Sequence, residues 1–403
     1  MIIRKSYVDQ IIPFIDMPLV KILTGVRRCG KSTIMLMLMD ELKKRGISGS
    51  QIVRFNFDTL KWQNVEVKQV FEIIKEKLLP SGRTYLFLDE IQEIEHWERL
   101  VNTFMEEAEY NVDIFVTGSN SKMMSSEIST YLTGRYVSFR IHPLSFAEYL
   151  EFKKEYGELT DLNKEFIRFI EYGGFPAVHL KPLTLDEAYV IVKDIYNTTI
   201  YTDIVKRNQI RKVDQLERIV KFAFDNIGNT FSANSIKGFL ESRNRKIDVE
   251  TVYNYLSKLE STYILNRCSR KDLHGREILK TQEKFYLADN AFKHAVLGYK
   301  QDDISQTLEN IVYLELRRRG YDVYVGKLDT KEIDFVAEKQ GKIMYIQVAY
   351  LLPDKKTQER EFGNLLKVED NYPKFVVSMD EVDMSQKGII HLNIKDFLLK
   401  EWE

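Results

Sequence analysis

The chain has almost no cysteine, no long apolar run and no excess of charge of one sign. Cys29 and Cys268 are the two cysteines among 403 residues, too few for a disulfide framework or a four-ligand zinc site. The longest purely apolar run, "IMLMLM" at 34–39, falls far below the roughly 18 residues a membrane span needs. Lys plus Arg total 59 against 60 for Asp plus Glu, so overall charge favours neither nucleic acid nor its absence, and any basic surface must be local. The opening "MIIRKSYVDQ" has no signal-peptide apolar region or cleavage site. No low-complexity tract and no repeat of fixed period is present. Together these absences lead us to expect a soluble, cytoplasmic protein with no membrane partner and no metal except one that arrives with a nucleotide. What is present is apolar material at 44% of the chain, enough for well-packed cores. The length implies two to four domains.

The sharpest motif lies near the start. "VKILTG", 20–25, reads as a buried strand. "GVRRCGKS", Gly25 to Ser32, fits G-x-x-x-x-G-K-[ST] at every specified position, and "TIMLMLMDELKKRG", 33–46, reads as a helix stopped at Gly46. Strand, glycine loop and helix is the context a phosphate-binding loop requires. Gly25, Val26, Arg27, Arg28, Cys29, Gly30, Lys31, Ser32 and Thr33 form the expected cradle. Its N–H groups and the helix dipole face phosphate oxygens. Lys31 reaches the β- and γ-phosphates, and the Ser32 hydroxyl ligates magnesium. Cys29 has no second cysteine near it in sequence, so its simpler role is a small loop residue. The implied cofactors are ATP and Mg2+.

"RTYLFLDEIQEI", 83–94, is an apolar strand ending in two acids. Asp89 at the strand tip can hold the magnesium. Glu90 beside it can orient and deprotonate an attacking water. A third strand, "VDIFVTGSN", 112–120, ends in small polar residues. Thr117, Ser119 or Asn120 would then lie near the γ-phosphate, and Asn120 is the first choice for its contact.

On Gly25–Ser32, Leu86–Glu90 and Val116–Asn120 the chain resembles the AAA+ ATPases, in the additional-strand class of P-loop proteins. On "YLTGRYVSFRIHPLSFAEYL" (131–150) and "YGGFPAV" (172–178) it is similar to prokaryotic members carrying a C-terminal domain of unassigned function. The resemblance implies that Arg135, in "LTGR", completes a neighbouring subunit's active site, hence a homo-oligomer. An arginine fork suits a γ-phosphate. Its alternative is a surface or interdomain salt bridge.

Helical patterns follow at 146–157, 162–176 and 185–208. From 213, three helices are succeeded by a strand, a "HG" turn and a second strand, which resembles a winged helix. Asp248 is the expected N-cap of the third helix. Arg243, Arg245, Lys246, Arg267, Arg270, Lys271, Arg276 and Lys280 could meet DNA phosphates, although Glu250 and Glu260 lie on that third helix and a protein-docking role is equally open. Beyond 300, helix, strand, hairpin and further α/β elements resemble the PD-(D/E)XK nuclease fold. Asp334 matches its first acid, but the (D/E)-x-K position reads Gln347-Val348-Ala349. Glu309 or Glu315 could add a ligand, yet the lysine is missing. This domain is expected to be inactive, with Asp334 in a salt bridge to a neighbouring Lys or Arg.

The expected fold class is therefore α/β multidomain. A P-loop NTPase parallel sheet with helices on both faces (1–150) leads to a helical lid or connector (151–210), a winged helix (211–292) and a restriction-endonuclease-like α/β domain (300–403). The expected function is Mg-dependent ATP hydrolysis driving a switch that repositions the later domains. The alternatives are an ATP-gated DNA-binding regulator and a protein-partner signalling or defence scaffold.

Overall fold

The computed structural model describes residues 2–401 apart from 108, 125–131, 133, 243–246 and 276. The chain divides into two compact units, Met1–Pro143 with Ser261–Tyr263, and Leu144–Glu260 with Ile264–Glu403.

The first unit is built on β1 (Val20–Thr24), β2 (Ile52–Asn56), β3 (Thr84–Asp89), β4 (Val112–Gly118) and β5 (Tyr136–Arg140). Their order is β2-β3-β4-β1-β5, and every pair is parallel. β1 and β3 are buried at every position, as suits a parallel sheet with both faces covered, and Lys21 within β1 is paired with buried Asp113. β4 lies between β1 and β3, the extra strand that the additional-strand resemblance implies. Ile22, Leu86, Leu88, Ile114 and Val116 pack with Trp97 and Phe104 of the helix Trp97–Glu106. On the other face Phe87 and Phe115 stack at 4.6 Å. This is a P-loop NTPase fold.

The second unit begins with the helices Phe146–Tyr156, Leu162–Tyr172 and Leu185–Thr198, the last continuing as a π-helix over Thr199–Lys206. The glycines of "YGGFPAV" have a structural reason. A Cβ on Gly174 would lie 2.4 Å from the Leu144 carbonyl oxygen, and the Gly174 N–H donates to buried Asp289 at 2.6 Å. The helices Val213–Asp225, Ala233–Glu241 and Val249–Ser261 follow, with β6 (Thr230–Phe231) between the first two. Asp248 accepts the Thr251 N–H at 2.7 Å, as an N-cap should. β7 (Leu265–Asp272) and β8 (Ile278–Leu287) form the expected hairpin.

The C-terminal elements are the helix Ile304–Arg318, β9 (Asp322–Leu328), β10 (Lys331–Lys339), β11 (Lys342–Val348), the helix Lys355–Leu366, β12 (Lys374–Ser378), β13 (Ile390–Asn393) and the helix Ile394–Leu399. They do not close a separate sheet. The β7–β8 register shifts between Cys268 and Arg270, and beyond that irregularity Arg270–Asp272 pair in parallel with Val325–Lys327. The result is one eight-stranded sheet, β13-β12-β11-β10-β9-β7-β8-β6, among the described residues. Phe146, Tyr149 and Phe166 share a core with Tyr286, Tyr313, Phe335 and Phe375. Three stretches that the sequence suggests as separate domains thus have common packing. Among the described residues no helix is long and apolar enough to cross a membrane.

Candidate nucleotide-binding site

The loop after β1 runs into the helix Lys31–Lys44, whose first turn carries Lys31, Ser32 and Thr33. Gly25 has no room for a side chain, since a Cβ there would sit 2.2 Å from the Ile141 carbonyl oxygen. Gly30, at φ +105°, starts the helix from the left-handed region, which glycine enters without a Cβ clash. Cys29 between them is fully buried. Burial pushes its thiol pKa up, so it serves as packing rather than as a nucleophile. Its carbonyl accepts Arg4 Nη1 at 2.8 Å, and Arg4 Nη2 also reaches the His142 carbonyl at 2.9 Å. A buried arginine near the start of the chain therefore ties down the back of the loop.

Lys31 Nζ donates to the carbonyl oxygens of Gly25 (3.1 Å) and Val26 (3.2 Å) and stands 3.8 Å from Glu90 Oε1. Ser32 Oγ donates to Asp89 Oδ1 at 2.9 Å. The parallel register places Leu88 beside Val116, which brings Thr117 next to the acids. Thr117 Oγ1 donates to Asp89 Oδ1 at 2.6 Å and accepts the Glu90 N–H at 2.9 Å. Arg54 Nη2, from β2, donates to Asp89 Oδ2 at 2.7 Å.

Glu90 sits at φ +52°, a region few non-glycine residues occupy, and strain of this kind clusters at functional sites. Its Oε2 accepts Ser119 Oγ at 3.1 Å and the side-chain amide of Gln92. Burial works to raise its pKa, but Lys31, Gln92, Arg27 and Ser119 outweigh that and hold it below the usual carboxylate range. Glu90 is therefore ionised at neutral pH, as a base must be.

Magnesium takes oxygen ligands from one or two protein groups and completes its shell with phosphate and water. Ser32 and Asp89, 2.9 Å apart, fit that requirement. Among the described residues no group of three or more His, Cys, Asp or Glu is arranged to hold a metal ion alone.

Of the three candidates at the end of β4, Thr117 and Ser119 make the hydrogen bonds to the acid pair. Asn120 is buried one residue further on. Arg27 stands 3.8 Å from Asp58. Arg135 lies just before β5, at the end of the sheet opposite the loop, and pairs with Glu106; this chain does not bring it to its own loop. Sequence reasoning did not find Arg54, Gln92 or Arg4. The one available signal was a basic residue inside the strand "IVRFN".

In the second unit Asp334 accepts the Val348 N–H at 2.9 Å, and Gln347 Oε1 accepts the Asp334 N–H at 3.4 Å. Gln347, where the resemblance expects an acid, is thus bound to backbone. Lys284, on β8, is 4% exposed and lies 2.7 Å from Glu332, 2.9 Å from Glu309 and 3.7 Å from Asp334. Tyr286 donates to Glu309 at 2.6 Å. Burial and the Glu309 charge push the Asp334 pKa up to about 8. Burial opposes the Lys284 charge, but Glu309, Asp334 and Glu332 together raise its pKa above the ordinary value. Glu315 is elsewhere, paired with Arg318 and Arg319.

Among the basic residues noted for DNA, Arg267 is paired with Glu260 (2.8 Å) and Glu283 (2.9 Å), and Lys271 with Glu338. Arg243, Arg245, Lys246 and Arg276 lie outside the described residues, as does the side chain of Lys280.

Residues 18–150 match the AAA domain family, and residues 163–303 match a domain of unknown function, DUF8612. A protein of Methanocaldococcus jannaschii described as uncharacterized, MJ1544, is 29% identical over 391 residues, covering 94% of this chain and 85% of its own length. Among solved structures, the Aeropyrum pernix ORC1 protein in complex with DNA aligns with 73% of this chain and 90% of its own at 13% identity. Its TM-score is 0.34, too low to bear on this chain. An uncharacterized protein of Haemophilus influenzae is 35% identical over 403 residues, 99% of each chain. The chain belongs to the same family as that Haemophilus influenzae protein, and its loop and acid pair lie in an AAA domain.

Proposed function

We propose that this chain binds ATP with magnesium in the first unit and hydrolyses it, nucleotide state acting as a switch on the second unit. The observation that carries the reading is the Ser32–Asp89 hydrogen bond at 2.9 Å beside the Lys31–Glu90 pair at 3.8 Å. In this reading the N–H groups of Gly25–Thr33 and the helix N-terminus cradle the phosphates. Lys31 leaves the loop carbonyls for β- and γ-phosphate oxygens. Ser32 and Asp89 hold the magnesium, which when bound offsets charge developing on the phosphates. Glu90 takes a proton from the attacking water as its oxygen bonds to the γ-phosphorus and the β–γ bridging bond breaks. Ser119 and Gln92 keep Glu90 Oε2 occupied, so Oε1 is the basic oxygen. Asn120 is kept as the γ-phosphate contact, and Arg135 as the residue offered to a second copy.

ATP turnover by Lys31→Ala and Glu90→Gln tests this. Lys31→Ala should lose binding. Glu90→Gln should bind ATP but lose about 10²- to 10⁴-fold in turnover. Unchanged turnover in both rejects the assignment.

The succession helix, short strand, helix, helix, hairpin supports a winged helix at 211–292. Helix, three strands, helix and strand supports a PD-(D/E)XK-like fold at 300–403. Gln347 and Ala349 at its catalytic positions, with Lys284 among the acids, support an inactive one. The pairing of Arg267 and Lys271 with acids favours a protein partner over DNA for the winged helix.

A further inference from the structure

We infer that Arg54 positions the Asp89 carboxylate for magnesium, acting from β2 as a supporting residue of the nucleotide site. The inference rests on the ATP reading above. β2 pairs with β3 so that Arg54 lies opposite Phe87 and Asn56 opposite Asp89. The Arg54 side chain therefore reaches forward two residues along the strand direction to meet the acid, Nη2 to Oδ2 at 2.7 Å.

Asp89 is 1% exposed and Arg54 30%. A carboxylate so buried needs a counter-charge and filled lone pairs. Lys31 faces Glu90, and among the described residues Arg54 is the cation paired with Asp89. The two carboxylate oxygens have different partners: Oδ1 accepts Ser32 and Thr117, and Oδ2 accepts Arg54. Holding Oδ2 fixes the rotation of the group and keeps Oδ1 turned to the Ser32 hydroxyl, its fellow magnesium ligand. Without Arg54 the ties from Ser32 and Thr117 both fall on Oδ1, and the carboxylate can swing about that side. Partners that orient a metal-binding carboxylate typically change metal affinity by about 10- to 100-fold when lost. Arginine suits the task because its charge is permanent and its donors are fixed in a plane.

The test is magnesium titration of the full chain with the fluorescent analogue N-methylanthraniloyl-ATP, read as analogue fluorescence rather than turnover. Arg54→Met should raise the half-saturating magnesium concentration about 10- to 100-fold and leave analogue binding in EDTA unchanged. Arg54→Lys, which keeps a charged donor, should recover part of the shift. A magnesium midpoint that is unchanged overturns the inference. A lowered midpoint also overturns it, because Arg54 would then compete with the metal. Should Arg54→Met not fold, Arg54→Gln keeps a donor without charge and must show the same rise in midpoint. Lys31→Ala separates the two readings. If it binds the analogue like the unmodified chain, the nucleotide site itself is wrong. If it does not, while Arg54→Met keeps the original midpoint, only the role of Arg54 fails.

Discussion

Replacing Lys284 with methionine asks whether an internal ammonium is what the Asp334 cluster depends on. Lys284→Met keeps an apolar stem and removes the charge 2.7 Å from Glu332 and 2.9 Å from Glu309. Deleting one partner of a buried ion pair costs about 3–5 kcal/mol. A stranded carboxylate has one escape, taking a proton. For a glutamate with a reference pKa near 4.3 this costs about 3.7 kcal/mol at pH 7 and about 1 kcal/mol at pH 5. The expected loss is therefore about 3–4 kcal/mol at pH 7, shrinking to about 1 kcal/mol at pH 5. The sign follows from linkage: a carboxyl whose folded pKa rises above its unfolded value contributes most in acid and loses that contribution as pH rises. Asp334 already obeys this rule. Its pKa is raised from 3.8 to about 8, so its contribution is full below about pH 4 and is lost as pH climbs through about 8. Asp334→Asn should flatten that slope.

The assay must watch the right unit. Trp62 and Trp97 belong to the first unit, so hydrogen exchange on peptides from β8 and β10 is the better probe. At pH 7 those amides should exchange about 100- to 1,000-fold faster in Lys284→Met, after correction for intrinsic rates. Exchange within about threefold of the unmodified chain, or a loss that does not shrink at pH 5, refutes the reasoning.

Gly25→Ala should abolish binding of the fluorescent ATP analogue, because the new Cβ would lie 2.2 Å from the Ile141 oxygen; unaltered affinity contradicts the loop geometry. Ser119→Ala removes the 3.1 Å hydrogen bond to Glu90, and steady-state phosphate release should fall about 10-fold with analogue binding retained. Gly174→Ala sets a Cβ 2.4 Å from the Leu144 oxygen. It should destabilise the second unit by about 1–3 kcal/mol, seen as faster exchange in the 172–178 peptide.

The glycine loop and acid strand were legible because each is contiguous: Gly25–Ser32 and Leu86–Glu90 carry their chemistry at fixed spacing on single elements. The parallel sheet was legible because β1 and β3 are short, mostly apolar runs, although Lys21 lies within β1. What sequence could not show is what meets across strands. Arg54 stands 35 residues from Asp89, and it becomes a partner only when β2 lies beside β3. Thr117 reaches Asp89 through the β3–β4 register, which sequence spacing does not set. The domain limits near 292 and 300 were drawn from element order. The irregularity between Cys268 and Arg270 lets β7 join β9, and no periodicity in the sequence announces a pairing between strands of different segments.

The missing lysine at Ala349 sharpens the same point. Read along the chain, the expected (D/E)-x-K position has no lysine to serve as a cation. In space Lys284 supplies one from β8, outside residues 300–403. Both units thus set a buried aspartate at a strand position and give it a basic partner, yet the partners differ in the room they leave for a metal. Arg54 is 30% exposed and bonds Asp89 at Oδ2, so Oδ1 can turn to a metal beside Ser32 while Arg54 stays in place. Lys284 is 4% exposed and lies among three acids. To displace it, a divalent cation would have to expel a buried ammonium that has no solvent to move into, at the several-kcal/mol cost of desolvating an ion without its partners. The room the counter-ion leaves for a metal, more than the number of carboxylates, would separate the proposed magnesium site from a cluster that holds a fold together. Accordingly, magnesium in the absence of nucleotide should leave hydrogen exchange of β8 and β10 unchanged in the unmodified chain, and slow it in Lys284→Ala, where the same acids are left with room for a metal. Protection by magnesium in the unmodified chain would show that Lys284 can be displaced after all.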